Sequence, residues 1–403
     1  MITPQSPSWP LDGIRVLDLG QIYNGSYAGF LLAHAGADVV KVEPPRGDPL
    51  RTRAADGSKP LAFAMLNSNK RGLSLNLKTS KGRDVLLKLA AEADVLLENY
   101  TPGTLTKLGV GPERLMAINP KLVYASSTGY GLHGPLRDNL AMDLTVQAVG
   151  GVMSINGPSD GPPLKAGLAI CDFLGGVHLY SGIVTALMDA QRTGQGRQVE
   201  VAMLEALYPA LATNLSAMHT NQGRQPERRG NRHPARGAGP YNVYRCKDGH
   251  IAVTCSRDTH WDQFILLMKR PELADDERFN TNSSRARHDD ELNELVGHWT
   301  SLLTQSEALE ALAEYRIPAA PVRELDAVMH DEHMHVRGTL KNVQHAQLGE
   351  VVLPTSPLKF SATPKPEVRP DPELGEHTDE VLSQWLSATE ADVRSWREEG
   401  AFS

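Results

Sequence analysis

A carboxylate stands at the mouth of a long apolar stretch. In the run Ala169-Ile-Cys-Asp-Phe-Leu-Gly-Gly176, Asp172 precedes residues 176–192, whose apolar side chains recur at three- and four-residue steps. The spacing predicts a helix with Asp172 at its start, where a carboxylate caps backbone N–H groups and is favoured by the positive end of the helix dipole. Other chemistry-bearing types are less well placed. Ser126, Ser127 and His133 would suit hydrolysis, but no G-x-S-x-G elbow accompanies them. The tract His330-Asp-Glu-His-Met-His335 is dense in metal-ligand types without a second ligand set facing it, so no metal is expected. Cys171 reads as a small buried residue rather than a second nucleophile.

The elements that must position Asp172 alternate strand and helix over the first 130 residues. Residues 14–19, 37–42, 73–77, 95–97 and 122–125 read as strands, with helices at 27–35 and 80–93 between them. Strands separated by helices predict a doubly wound parallel sheet with right-handed crossovers. Glu43 has the position of a ribose-binding acid, yet the first turn, Gly20-Gln-Ile-Tyr-Asn-Gly25, lacks the GxGxxG glycines, which leaves NAD or FAD a minor alternative.

Residues 221–239 are polar, basic and rich in Gly and Pro, and lead out of this unit. Beyond them, residues 241–244 and 250–254 form a hairpin signal whose Asp248-Gly249 suits a type I′ turn. Amphipathic helices are expected at 260–268, 289–300 and 305–314, a strand at 349–354 and a last helix at 379–386.

At 403 residues the chain exceeds the roughly 250–300 at which single cores usually divide, so two domains are expected. A net charge of −7 without a basic run argues against nucleic acid or an acidic membrane face as partner. Three cysteines without CxxC spacing fit a reducing compartment. The first ten residues have no basic or apolar signal region, and no stretch reaches the ~18 uninterrupted apolar residues of a membrane span, so the expectation is cytoplasmic.

Taken in order, these segments resemble the class III CoA-transferases, the family that also contains formyl-CoA and carnitine CoA-transferases and 2-methylacyl-CoA racemases. The resemblance runs from end to end and is carried by residues 10–19, Gly36-Ala-Asp-Val-Val-Lys-Val-Glu43 with Gly47-Asp48, Asn67-Ser-Asn-Lys-Arg-Gly72, Glu98-Asn99, Gly129-Tyr-Gly-Leu-His-Gly-Pro135, Asp172, Gly230-Asn-Arg-His-Pro234 and Leu374-Gly-Glu-His-Thr378. It implies a Rossmann-like large domain from residues 1–220 completed by 330–403, a smaller α+β domain at 225–325, and two chains interlocked as a homodimer. It makes Asp172 the nucleophile, kept ionised by its helix N-terminus, that carries CoA between an acyl-CoA such as succinyl-CoA and a small carboxylic acid, with dicarboxylates first. CoA is then substrate, and no separate cofactor is implied. The CoA site falls by resemblance on Gln21, Ile22, Leu75, Lys78, Asn99, Tyr100, Lys107, Arg137 and Asp143, with Lys70 and Arg71 weaker candidates for direct contact.

Three departures bear on specificity. Racemases of the family carry a proton-transferring His before the acid that stands here as Asp143, and this chain has Met142, so a racemase-like isomerase is the alternative rather than the reading, beside a non-catalytic CoA-binding homologue. The four-glycine run of formyl-CoA transferases is shortened to Arg236-Gly-Ala-Gly-Pro240, which does not support formyl or oxalate substrates. The common Ala-Gly-Pro after the first strand is Asn24-Gly25-Ser26, changing the polar groups beside the reaction site.

Overall fold

The computed structural model describes residues 8–53, 60–235 and 239–402. It divides into two compact units, Met1–Gly150 with Leu168–Tyr208 and Met329–Ser403, and Gly151–Gly167 with Pro209–Val328. The expected loop around the Arg236–Pro240 glycines lies outside the described residues at 236–238.

The first unit is built around a six-stranded sheet: β1 (Arg15–Asp18), β2 (Asp38–Glu43), β3 (Arg71–Ser74), β4 (Val95–Glu98), β5 (Val123–Thr128) and β6 (Gln198–Ala202). Their order is β3-β2-β1-β4-β5-β6 and every pairing is parallel. Successive side chains point to opposite faces, so each strand feeds two cores. Leu17, Val40, Leu73 and Leu96 join one, under the helix Ser80–Glu92 and the C-terminal helices; Val16, Val39, Leu97, Val123 and Ala125 join the other, under α1 (Asn24–His34) and α4 (Ile170–Thr193). Burial on both faces is why these strands read as apolar runs. Here α2 denotes Ser80–Glu92 and α3 Asp143–Val149. By length and composition α4 could cross a membrane. Leu179 and Ile183 are fully buried against the sheet, so one face of the helix packs into this unit's core.

Chain order reverses between β1 and β4, which neighbour each other while β2 and β3 lie on one side and β5 and β6 on the other. Such a switch point opens a crevice at the carboxyl ends of the two strands.

In the second unit β7 (Tyr241–Arg245), β8 (His250–Thr254) and β9 (Ala319–Pro321) form an antiparallel sheet against helices at Asp258–Leu267, Asp289–Ser301 and Gln305–Glu314, closed over Trp261, Phe264, Leu292, Val296 and Leu312. The hairpin stands where expected, but its turn is not type I′: neither Asp248 nor Gly249 has the positive φ that type requires. Four residues, Cys246–Gly249, make the loop, closed by Cys246 N–H donating to Gly249 O at 2.8 Å. Gly249 is there for space, since a Cβ would lie 2.6 Å from the Gln305 side chain. At the other end of the chain the helix Thr378–Leu386 is not the last. A further helix, Glu390–Glu398, follows, started by Thr389 and Asp392 as a capping box and anchored by Val393 and Trp396 in the sheet core. The Thr-x-x-Asp signal was present in the sequence but is short.

Beneath the switch point lies a charged core. Asp18, Lys41, Glu43, Asp48 and Lys70 are all nearly inaccessible, and Arg51 closes the group from its edge. Lys70 Nζ donates to Asp18 Oδ2 at 2.7 Å, to Ser26 O and to Asn67 Oδ1; Lys41 Nζ donates to Asp48 Oδ2 at 2.9 Å and to Gly20 O; Arg51 binds both oxygens of Glu43 at 2.7 Å. Three cations meet three anions with their hydrogen bonds made, the condition under which buried charge is tolerable. Burial pushes Lys70 down to about 8, opposed by Asp18, so it remains charged at neutral pH. Lys41 is raised: burial alone would lower it, but Asp48, Asp18 and Glu43 together outweigh that. Lys70 is therefore a structural cation, not a ligand contact, and Arg71 pairs with Asp38 and Glu380 instead.

Replacing one partner strands the other. Lys70→Ala should lower unfolding free energy by about 3–5 kcal/mol, the cost of an unpaired buried charge. Urea denaturation of the purified protein measures this, and a loss under about 1 kcal/mol would mean that Asp18 reaches solvent once Lys70 is gone.

Candidate functional site

The loop after β1 is held by side chains rather than by glycines. Asp18 Oδ1 accepts from Gly20 N at 2.8 Å, Asn99 Oδ1 from Gln21 N at 2.7 Å, and both Asp48 oxygens from Ile22 N at 3.3 Å. Asn99 also donates back to Gln21 O at 3.0 Å, joining the ends of β1 and β4 across the switch point. These bonds hold Ile22 at φ 59°, a left-handed conformation that a β-branched residue rarely adopts. Tyr100 N is fixed in turn by Glu98 Oε2 at 2.7 Å.

Asp172 faces this loop from α4. It is not the cap that its position suggested: the helix begins at Ile170, two residues earlier, and Asp172 lies in its first turn. The cap comes from another segment. Asp143, the first residue of α3, accepts through Oδ1 from Cys171 N at 2.8 Å and Asp172 N at 3.3 Å, and its Oδ2 accepts from Gln147 Nε2 at 2.6 Å. A carboxylate from outside the helix thus takes the place that a local Asp, Ser or Thr usually fills.

The electrostatic expectation is reversed with it. The Asp172 carboxyl is pushed up to about 7, first by burial and then by the negative charge of Asp143, with Arg53 pulling the other way. Its neighbour Cys171 is buried, and its thiol is pushed up to about 12 by burial, then by Asp143 and Asp172, which leaves it protonated and inert at neutral pH.

The loop, Asn99, Tyr100 and the two acids enclose a cleft of about 140 Å³. Of the residues singled out in the sequence, Gln21, Ile22, Asn99, Tyr100, Arg137, Asp143 and Asp172 all line it. Arg137 is its one lysine or arginine among the described residues. Three others do not line it. Leu75 is buried in the core just past β3, its N–H donated to Glu43 O at 2.7 Å. Lys78 and Lys107 are exposed, the first just past β3 and the second ending the short helix Thr104–Lys107. Met142 also lines the cleft. So do Asn24 and Ser127, which the sequence reading had singled out only as a departure and as a hydrolase residue without its motif.

Residues 11–378 match the family described as CoA-transferase family III. The chain is 34% identical over 396 residues to the succinyl-CoA–D-citramalate CoA-transferase of Chloroflexus aurantiacus, covering 97% of this chain and 98% of that one. It is 36% identical over 408 residues to the formyl-CoA:oxalate CoA-transferase of Streptomyces coelicolor, covering 97% and 98%. Among solved structures it superimposes on a CAIB/BAIF family protein from Brucella suis with a TM-score of 0.83 and 33% identity, covering 94% of this chain and all of that one. The chain belongs to CoA-transferase family III and is a transferase of that class.

The raised carboxyl of Asp172 has a consequence for stability whose sign is fixed. Its folded value of about 7 exceeds the ordinary 3.8, so the fold is penalised for ionising it: not at all below pH 3.8, increasingly between 3.8 and 7, and fully above. Asp172→Asn removes the penalty. The variant should be more stable than the parent at pH 8 by roughly 2–4 kcal/mol and equal to it near pH 4. Urea midpoints at the two pH values measure the difference, and a margin that does not change with pH would contradict the assigned environment.

Proposed function

We propose that this transferase moves CoA from succinyl-CoA to a small dicarboxylate, with Asp172 as the covalent carrier. The observation that carries the reading is Asp172 in the first turn of α4, half-buried in the cleft at the switch point and opposite the clamped Gly20–Ile22 loop. An Asp172 oxygen attacks the thioester carbonyl, the C–S bond breaks, and CoA leaves as thiolate from a mixed anhydride. The thiolate attacks the aspartyl carbonyl, the donor acid departs as carboxylate, and CoA is held as an aspartyl thioester. The acceptor carboxylate then attacks that carbonyl and expels CoA thiolate, which takes the new acyl group and restores the Asp172 carboxylate.

In this scheme the backbone of Gln21 and Ile22 with Asn99 and Tyr100 forms the wall against the thioester, and Arg137 on the same cleft meets negative charge. Leu75, Lys78 and Lys107, along the same carboxyl edge of the sheet but outside the cleft, would hold the distant nucleotide end of CoA. Asp143 orients Asp172 through the helix N–H groups and keeps the carboxyl basic. D-citramalate, named as the acid of the Chloroflexus relative, is a dicarboxylic acid, which supports that class. Met142, beside Asp143 in the cleft, has no proton to exchange, so isomerisation next to the thioester is not favoured.

We also propose the interlocked homodimer and a cytoplasmic site of action; three cysteines, all free and buried, suit a reducing compartment. A threaded dimer cannot dissociate without unfolding, so sedimentation at nanomolar concentration should still give twice the 43.9 kDa chain mass. A folded monomer on dilution would refute threading.

The carrier role is tested by Asp172→Ala, which should lose CoA transfer from succinyl-CoA by several orders of magnitude while retaining CoA binding by calorimetry. Parent kcat/KM should rise through about pH 7 as the carboxylate forms. Turnover retained by Asp172→Ala would remove Asp172 from the reaction.

A further inference from the structure

Two polar atoms in the cleft have no partner. Asn24 Oδ1 and Ser127 Oγ are each buried without a hydrogen bond, although Asn24 is only 2% and Ser127 only 1% exposed, and both residues line the cleft that holds Asp172. A buried acceptor or hydroxyl left unpaired forfeits its hydration with nothing in return, so two in one cavity need a reason.

Each is set there by its element. Asn24 opens α1, and its carboxamide lies against α4 one turn beyond Asp172, where a Cβ on Gly175 would come within 2.3 Å of Asn24 Nδ2. The absence of a side chain at Gly175 thus makes room for the amide. Ser127 follows Ser126 on β5, and the two point to opposite faces. Ser126 Oγ donates to Glu98 Oε1 at 2.5 Å and is satisfied, whereas Ser127 is turned toward the cleft and is not.

We infer that Asn24 and Ser127 form a subsite for a hydroxyl group on the acyl chain, so that the preferred carboxylate substrate is a hydroxy acid. This inference rests on the proposed transfer reaction and adds the substrate's substituent to it. The chemistry of the pair selects the hydroxyl. Asn24 Oδ1 accepts, and a Ser hydroxyl donates and accepts, so a ligand O–H donates to Asn24 while its oxygen accepts from Ser127. A methylene in the same place satisfies neither group, and sites that hydrogen-bond a substrate hydroxyl discriminate strongly against the analogue lacking it. The reacting carboxylate of the same molecule stands at Asp172, and a second carboxylate, where there is one, faces Arg137.

The test compares malate, as separate enantiomers, with ¹³C-labelled succinate as acceptors from succinyl-CoA, acids that differ by one hydroxyl. The parent should favour one malate enantiomer in kcat/KM by at least about tenfold. Ser127→Ala should reduce that preference, and Asn24→Ala/Ser127→Ala should abolish it, both read as the ratio of kcat/KM for malate to kcat/KM for succinate within each variant. Calorimetric binding of the two acids in the presence of CoA reads the same preference without turnover, so an enzyme that binds malate selectively but transfers nothing would refute the reaction and keep the subsite. Equal use and equal binding of the two acids by the parent, or a preference that survives the double variant, would overturn it. Thermal melting of Ser127→Ala, the smaller change, shows that a lost preference is not lost folding.

Discussion

The Lys70–Asp18 pair, both side chains wholly buried beneath the first βα turn, is the interaction on which the site depends. One Asp18 oxygen binds Lys70 and the other binds Gly20 N, so the charge that completes the core also fixes the start of the loop. Asp48 repeats the arrangement, binding Lys41 on one side and Ile22 N on the other. Charges buried in this way contribute little net stability compared with apolar packing of similar volume. Their effect is positional: they hold a strained loop that hydrophobic contacts, being non-directional, could not hold in one conformation.

A second tension sits across the cleft. Asp143 satisfies the first N–H groups of α4 and so orients Asp172, but its charge and the burial of the site raise the Asp172 carboxyl well above its usual range. A carboxyl near neutrality is a stronger base and nucleophile when ionised than an ordinary aspartate, and it is a liability to the fold in the same state. In the proposed reaction, function and stability therefore pull in opposite directions on one side chain.

Much of the fold was legible because it is local. The apolar strands, the helix signals between them and the hairpin near residue 245 each follow from short-range periodicity, and the parallel sheet follows from their alternation. What escaped depends on partners distant in sequence. Asp172 looked like a cap because the true one, Asp143, is 29 residues away; Lys70 looked like a weaker candidate for CoA contact because Asp18, its partner, is 52 residues away. Gly249 suggested a turn type because Gln305, whose side chain fills the space beside it, cannot be seen from residue 249. The seven site residues that share the cleft come from the ends of β1 and β4, the approach to α3 and the first turn of α4, a gathering that only the strand order explains.

The clamped loop after β1 also explains what the sheet does not do. In dinucleotide-binding folds with this strand order, the free amides of the first turn receive a pyrophosphate. Here Gly20, Gln21 and Ile22 have already given theirs to Asp18, Asn99 and Asp48. The polypeptide carries its own anions where its architectural relatives recruit one from solution, so the turn reaches its working shape on folding and not on ligand arrival. The turn is a self-occupied anvil, and a ligand can be brought only against its outer surface.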